Sequence, residues 1–423
     1  MIRPELNIIL LSAKLNPSNK DVDALNNLVP KVNDWNYFVN TLIERGLSPL
    51  FYNKLILLSN QTKPPKEITE KLKKAYYKTL SRSLMLHDYY KNVATAFNAN
   101  GVEFIALKGI YLSEWLYGDV GLRQFSDIDL LVKPQDAEKA LSVLRSLGYK
   151  SFDGIESEEI GGQKDLMHYK PRMLNDVSVE IHINVQHSKE SYLMPIEELW
   201  ANAVKTKIDG IDARVLSFYD QFIHLCVHLD KHVKMGHVQF TSFADITNII
   251  SVYENEFDWQ QLLEKSRRYN CEAIVFKYVV LVHKYFNAPI PTVILKEYKH
   301  LLKPKDEKIF INYLRGIAPF KSLVPHHLEK LKEFSNISSS FKYLIAQLFP
   351  SKEFMIEKYG LKSKVEGQKS EEDGQGSKVK GQKTLQTFKS SNLQTFKLRF
   401  WWLWYPYRWA IGLRGLLRMI NGK

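Results

Sequence analysis

The sequence predicts an α+β fold, a minimal mixed sheet flanked by N- and C-terminal helical regions. Three observations predict it. Apolar residues recur at helical spacing through residues 1–100. Short apolar runs bounded by turn residues replace them between 101 and 195. The helical pattern returns from about residue 195 to 350.

The elements follow in order. Ile8-Ile9-Leu10-Leu11 is too short for a secretory core and has no small-residue cleavage site, so it reads as the first core helix. Trp35, Phe38, Val39, Leu42 and Ile43 recur at helical spacing, and Gly46 closes that helix. Leu47 to Tyr52 opens the next. Residues 66–99 form a long amphipathic stretch that stops at Asn100-Gly101. Val102 to Leu107 suits a buried strand. Tyr111 to Tyr117 gives one or two helical turns, and Ser126 to Val132 is a second strand. Pro134 stands where a helix begins, with the helical period over 135–147 and Gly148 as its cap. Residues 164–170 and 177–185 read as two strands joined by a turn at Asn175-Asp176. Residues 219–236 and 242–254 are the clearest later helices.

The 423 residues, 45% of them hydrophobic, suffice for two or three buried cores. Five segments are expected: a helical region at 1–100, an α/β core at 101–195, a helical domain at 196–361, a low-complexity insertion at 362–397 and a tail at 398–423. The insertion nearly repeats Ser363–Lys369 as Ser377–Lys383, and Leu385–Lys389 as Leu393–Lys397. Such polar repeats cannot bury enough apolar surface to order themselves. The tail joins an aromatic cluster, Phe400 to Tyr407, to a helical pattern with arginines opposite its apolar side. That composition suits either docking on the protein body or peripheral contact with a membrane.

The formal net charge is +13, but insertion and tail carry most of it, leaving about +4 for residues 1–361. A body so mildly basic argues against long nucleic acid as a partner. Residues 1–361 lack the roughly 18 uninterrupted apolar residues of a spanning helix. The cysteines, Cys226 and Cys271, have no partner at metal-ligand spacing. The expected location is cytoplasmic, peripheral to the membrane if the tail docks there.

The chemistry concentrates at Asp127-Ile128-Asp129. On a strand, residues two apart point to one face, so the two carboxylates lie side by side while Ile128 and Leu130 face the core. Like charges so close are costly without a cation, and Mg²⁺ or Mn²⁺ prefers oxygen ligands. Val177 to Val185 alternates strictly, which puts Glu180, His182 and Asn184 on one face. Beside the first strand, Glu180 becomes a third carboxylate, enough to hold two metals in phosphoryl transfer. His182 either positions a substrate or fills the strand face. Upstream, Lys108-Gly109 opens a short helix where a phosphate could approach backbone N–H groups, and Lys108 or Arg123 could pair with a triphosphate. His224, His228 and His232 lie in line on one helix and cannot surround one ion.

These residues carry a resemblance. Leu107 to Tyr117, Gly121 to Val132 and Val179 to His182 resemble the uncharacterised nucleotidyltransferase family of the DNA polymerase β-type superfamily. Arg45 to Phe51, His224 to His232 with Phe243 to Ile246, and Leu348 to Tyr359 extend the likeness over roughly 30–360. The resemblance implies transfer of a nucleoside monophosphate from an NTP, with Asp127, Asp129 and Glu180 as ligands of Mg²⁺ or Mn²⁺. It implies a substrate cleft reached by His182, His228, Lys231 and Asp245. The expected acceptor is a small molecule or a sugar or polysaccharide precursor. RNA or protein as acceptor, or a non-catalytic nucleotide-binding adaptor, are the alternatives. The wider superfamily places Gly-Ser a dozen or so residues before its acidic pair. This chain has Lys108-Gly109 further back and no Ser after the Gly, so Ser126 or Lys108 takes that role, or the donor binds differently.

Overall fold

A computed structural model describes residues 3–151, 168–169, 171–186, 190–235 and 238–315. The start of the expected strand at 164–170, the helical pattern of 316–361, the insertion and the tail lie outside the described residues.

Five helices come first: α1 (Pro4–Ser12), α2 (Asn19–Leu28), α3 (Trp35–Glu44), α4 (Ser48–Lys54) and α5 (Lys66–Ala99). The apolar run of α1 is buried, as its sequence requires. In α3, Phe38, Val39 and Leu42 are buried, whereas Ile43 is exposed at the edge of the apolar face. Gly46 ends that helix at φ +70°, a left-handed value that suits glycine.

The α/β part runs β1 (Phe104–Leu107), α6 (Gly109–Trp115), β2 (Asp127–Val132), α7 (Ala137–Ser146), β3 (Lys150–Ser151), β4 (Arg172–Leu174) and β5 (Val177–His182). The hairpin turn falls at Asn175-Asp176, but its first strand is β4 rather than 164–170. Among the described residues, His168 makes an isolated bridge to His182.

The region read as purely helical holds two more strands. After α8 (Ile196–Ala201) come β6 (Val204–Ile208) and β7 (Ile211–Val215). They complete a seven-stranded sheet of order β3-β4-β5-β2-β1-β7-β6. Their period-two pattern is short and mostly exposed, Val204-Lys-Thr-Lys-Ile208, and so weak beside the flanking helices. Helices α9 (Phe218–Met235), α10 (Phe240–Val252), α11 (Trp259–Arg268), α12 (Glu272–Phe286), α13 (Thr292–Tyr298) and α14 (Pro304–Leu314) follow.

Strand alternation assigns the two sheet faces. Ala106, Ile128, Leu130, Val177, Val179 and Ile181 pack with Tyr90, Phe97 and Leu144 of α5 and α7. Ile105, Leu107 and Leu131 join a separate core built largely from α1, α9, α10 and α12. Asp127, Asp129, Glu180 and His182 alternate onto that second face. A polar staple props α6 from behind. His87 of α5 meets Asp209 of the β6–β7 turn at 2.5 Å and Ser113 of α6 at 2.9 Å.

One buried charge stands apart. Lys54 is 1% exposed, and among the described residues its one hydrogen bond reaches the Leu50 carbonyl at 3.3 Å. Burial, reinforced by Lys14, pulls its ammonium down to about 7, while Asp21 opposes the shift. Between that value and the ordinary lysine value the unfolded chain binds more protons, so stability rises with pH across this window. Lys54→Met is expected to stabilise the fold by about 2–4 kcal/mol near pH 6.5, with the gain shrinking toward zero near pH 10. Urea denaturation of both proteins at the two pH values checks this.

Candidate functional site

The sheet register builds the site. Strand β2 pairs parallel with β5, so Asp127 lies opposite Ser178 and Asp129 opposite Glu180. It also pairs antiparallel with β1, which sets Leu107 opposite Asp129 and brings Lys108 to the same end. Strands and turn together deliver three carboxylates, one imidazole and one ammonium to one patch.

Asp129 is its centre. It is 3% exposed, and His182 Nε2 donates to Oδ1 at 2.8 Å. Lys108 Nζ lies 3.3 Å from Oδ2. Burial alone would raise the Asp129 pKa. Lys108 and His182 outweigh it and hold the carboxyl well below its ordinary range. Asp127 moves the other way: burial first, then the Asp129 charge, pushes it up, against Lys108, a Ser126 hydrogen bond and Arg123. Burial, then Asp129 and Asp127, pushes Glu180 up to about 7. His182 is fully buried, and burial pulls its pKa down, so the neutral ring gives Asp129 its one N–H through Nε2. Its Nε2 is also 3.7 Å from Glu180.

Lys108 pays a conformational cost to be there. At φ 50° and ψ −118° it holds the backbone of the first central residue of a type II′ turn, which favours glycine. Such strain costs about 1–3 kcal/mol and persists only where the surroundings over-determine it. Gly109 has a different reason. A Cβ there would come within 2.7 Å of the Phe125 ring. The Phe125 ring thus fills the space that a side chain at position 109 would need.

Helix α9 faces the patch. His224 is buried, and burial, followed by the Lys108 charge, pushes it down to about 3. His228 is lowered from the same two causes, and its Nε2 lies 3.1 Å from that of His232. Lys231 is lowered by burial and Lys108 and raised by Glu190, Glu180 and Asp129. His182, His228 and Lys231 therefore share one electrostatic neighbourhood with the carboxylates.

Arg123 and Asp245 pair with each other. Arg123 Nε and Nη2 donate to the two Asp245 oxygens at 2.9 and 2.7 Å, and Tyr117 adds a hydrogen bond of 2.8 Å. Asp245 is fully buried and Arg123 nearly so. This buried pair engages the guanidinium and clamps α10 to the loop before β2. Ser126 is exposed and bonds to Asp127. Arg82 had no sequence signal: from α5 it donates to the Ser126 and Asp176 carbonyls at 3.2 and 2.8 Å, tying β2 to the hairpin. His224 stood out only as one of a spaced row.

Asp129, Glu180 and His182 present ligand atoms within 4.8 Å of one another. Two of the three carboxyls are raised, first by burial and then by their neighbours' charge, and the donors are mostly oxygen. That set fits a hard divalent cation.

A family profile described as uncharacterised nucleotidyltransferase matches residues 31–287. No curated protein matches the chain. A solution structure of the antibiotic-resistance factor ANT(2'')-Ia is similar at 11% identity over 48% of this chain and 99% of that chain, with a TM-score of 0.31. That likeness is too slight to carry an argument.

Asp245→Ala, which strands the Arg123 charge, is expected to cost about 3–5 kcal/mol in chemical denaturation. Arg123→Met/Asp245→Leu should regain most of that loss, because no buried charge is then left alone.

Proposed function

The chain belongs to the uncharacterised nucleotidyltransferase family, and on that premise we propose that it transfers a nucleoside monophosphate from an NTP to a small-molecule acceptor, such as a sugar or polysaccharide precursor, with Mg²⁺ or Mn²⁺. The observation that carries the reading is the convergence of Asp127, Asp129 and Glu180 on one sheet face beside Lys108.

Each residue has a part. Asp127, Asp129 and Glu180 hold the metal. A bound divalent ion supplies charge neutralisation and polarisation of the phosphoryl group. His182 donates to Asp129 and keeps it anionic and oriented, as partners of metal ligands commonly do. Lys108 supplies positive charge for the triphosphate, and its strained turn points it at the carboxylates. Ser126 steadies Asp127. Lys231 and His228 face the same neighbourhood from α9, where an acceptor can be oriented. The mild charge of residues 1–361 favours a small acceptor over long RNA.

Incubation with each labelled NTP, Mg²⁺ and cell extract tests the reading. Transfer of label to a small species is expected, with Asp127→Asn and Asp129→Asn each lowering it on the order of 100-fold or more. Label on RNA or protein would replace the acceptor class. Absence of NTP binding by the wild type would overturn the enzyme reading.

Metal binding should depend on pH with a definite sign. Burial, then the charges of Asp129 and Asp127, raises Glu180 to about 7, so a cation must displace a proton below that value. Mn²⁺ affinity by calorimetry is expected to rise by about 10-fold from pH 6 to pH 8 and to level off above it. A flat profile would show that Glu180 is not a ligand.

A further inference from the structure

A second cleft, of about 440 Å³, opens between α6, β7 and the helices α9 to α11. Its volume falls in the range of small-molecule sites. Tyr111, Trp115 and Tyr253 form a stacked column, with centroids 5.1 and 5.3 Å apart and planes within 9° and 14°. Phe218 stands nearly perpendicular to Trp115 and Tyr253, at 81° and 77°. The charged side chains lining the cleft are Glu256 and Asp258, with no lysine or arginine among its lining residues.

Aromatic faces carry negative quadrupole charge and attract cations. Asp258 Oδ1 already caps α11 through the Gln260 and Gln261 N–H groups. The exposed Glu256 carboxylate has no ion-pair partner among the described residues, so it is left to meet an incoming positive charge. An acidic lining repels a triphosphate, which separates this cleft in kind from the carboxylate patch beside Lys108. A rigid aromatic wall also orders few rotatable bonds on binding, which lowers the entropic cost.

We propose that this cleft binds a small organic cation, an alkylated ammonium whose apolar groups lie against the aromatic walls and whose charge faces Glu256. The proposal stands independently of the transferase reading, because it needs neither metal nor NTP.

Calorimetry on the full chain with choline as probe tests it, beside 3,3-dimethylbutan-1-ol, its neutral isostere, and adenosine. Choline is expected to bind at least about 10-fold tighter than the isostere, the effect of one cation–π pocket of about 1.4 kcal/mol. Glu256→Gln, at an exposed position, should keep the thermal midpoint and weaken choline about 3-fold or more. Tyr253→Leu should weaken it about 10-fold. Equal affinity for the neutral isostere, tighter binding of adenosine, or no binding of choline up to tens of millimolar would each overturn the proposal.

Discussion

Crowded negative charge is the constraint on which this structure turns. Asp129 and Glu180 sit directly opposite each other on paired strands, with Asp127 one pleat away. Like charges in that relation destabilise a sheet. The fold answers with Lys108 and with the N–H of His182, both aimed at Asp129. Burial and the remaining repulsion together raise Asp127 and Glu180. A site that stays electrostatically unbalanced in its own fold is one that favours a cation.

Much of the surrounding architecture serves that balance. Lys108 occupies a backbone conformation that favours glycine, so something must hold it there. Phe125 locks against Gly109. The staple of His87, Ser113 and Asp209 holds α6 beside it, with the His87 ring edge-on to Phe125 at 6.0 Å. Arg82 and the Arg123–Asp245 pair fix the approach to β2. These polar contacts touch no carboxylate of the patch, yet they determine where its charges stand.

The aromatic cleft beside α6 has the opposite chemistry. One helix therefore follows the strained lysine with its first residue and walls an acid-lined aromatic site with Tyr111 and Trp115. The seven residues of α6 thus border two surroundings of different chemistry.

The sequence by itself determined the paired aspartates, the alternating strand of Glu180 and His182, and the order of most elements through β5. Those signals are periodic and local, and alternation alone puts each set on one face. It also placed Lys108 near the strand end. It could not assign Arg123 and Asp245. A charged side chain reads the same whether it awaits a phosphate or a partner 122 residues away, and only packing α10 against the loop before β2 made the pair. The role of Gly109 was open for the same reason, since a missing Cβ acquires meaning from what approaches it. Strands β6 and β7 were hidden because their exposed, lysine-bearing alternation is faint. Their place in the sheet comes from parallel pairing with β1, a long-range contact that no local pattern announces.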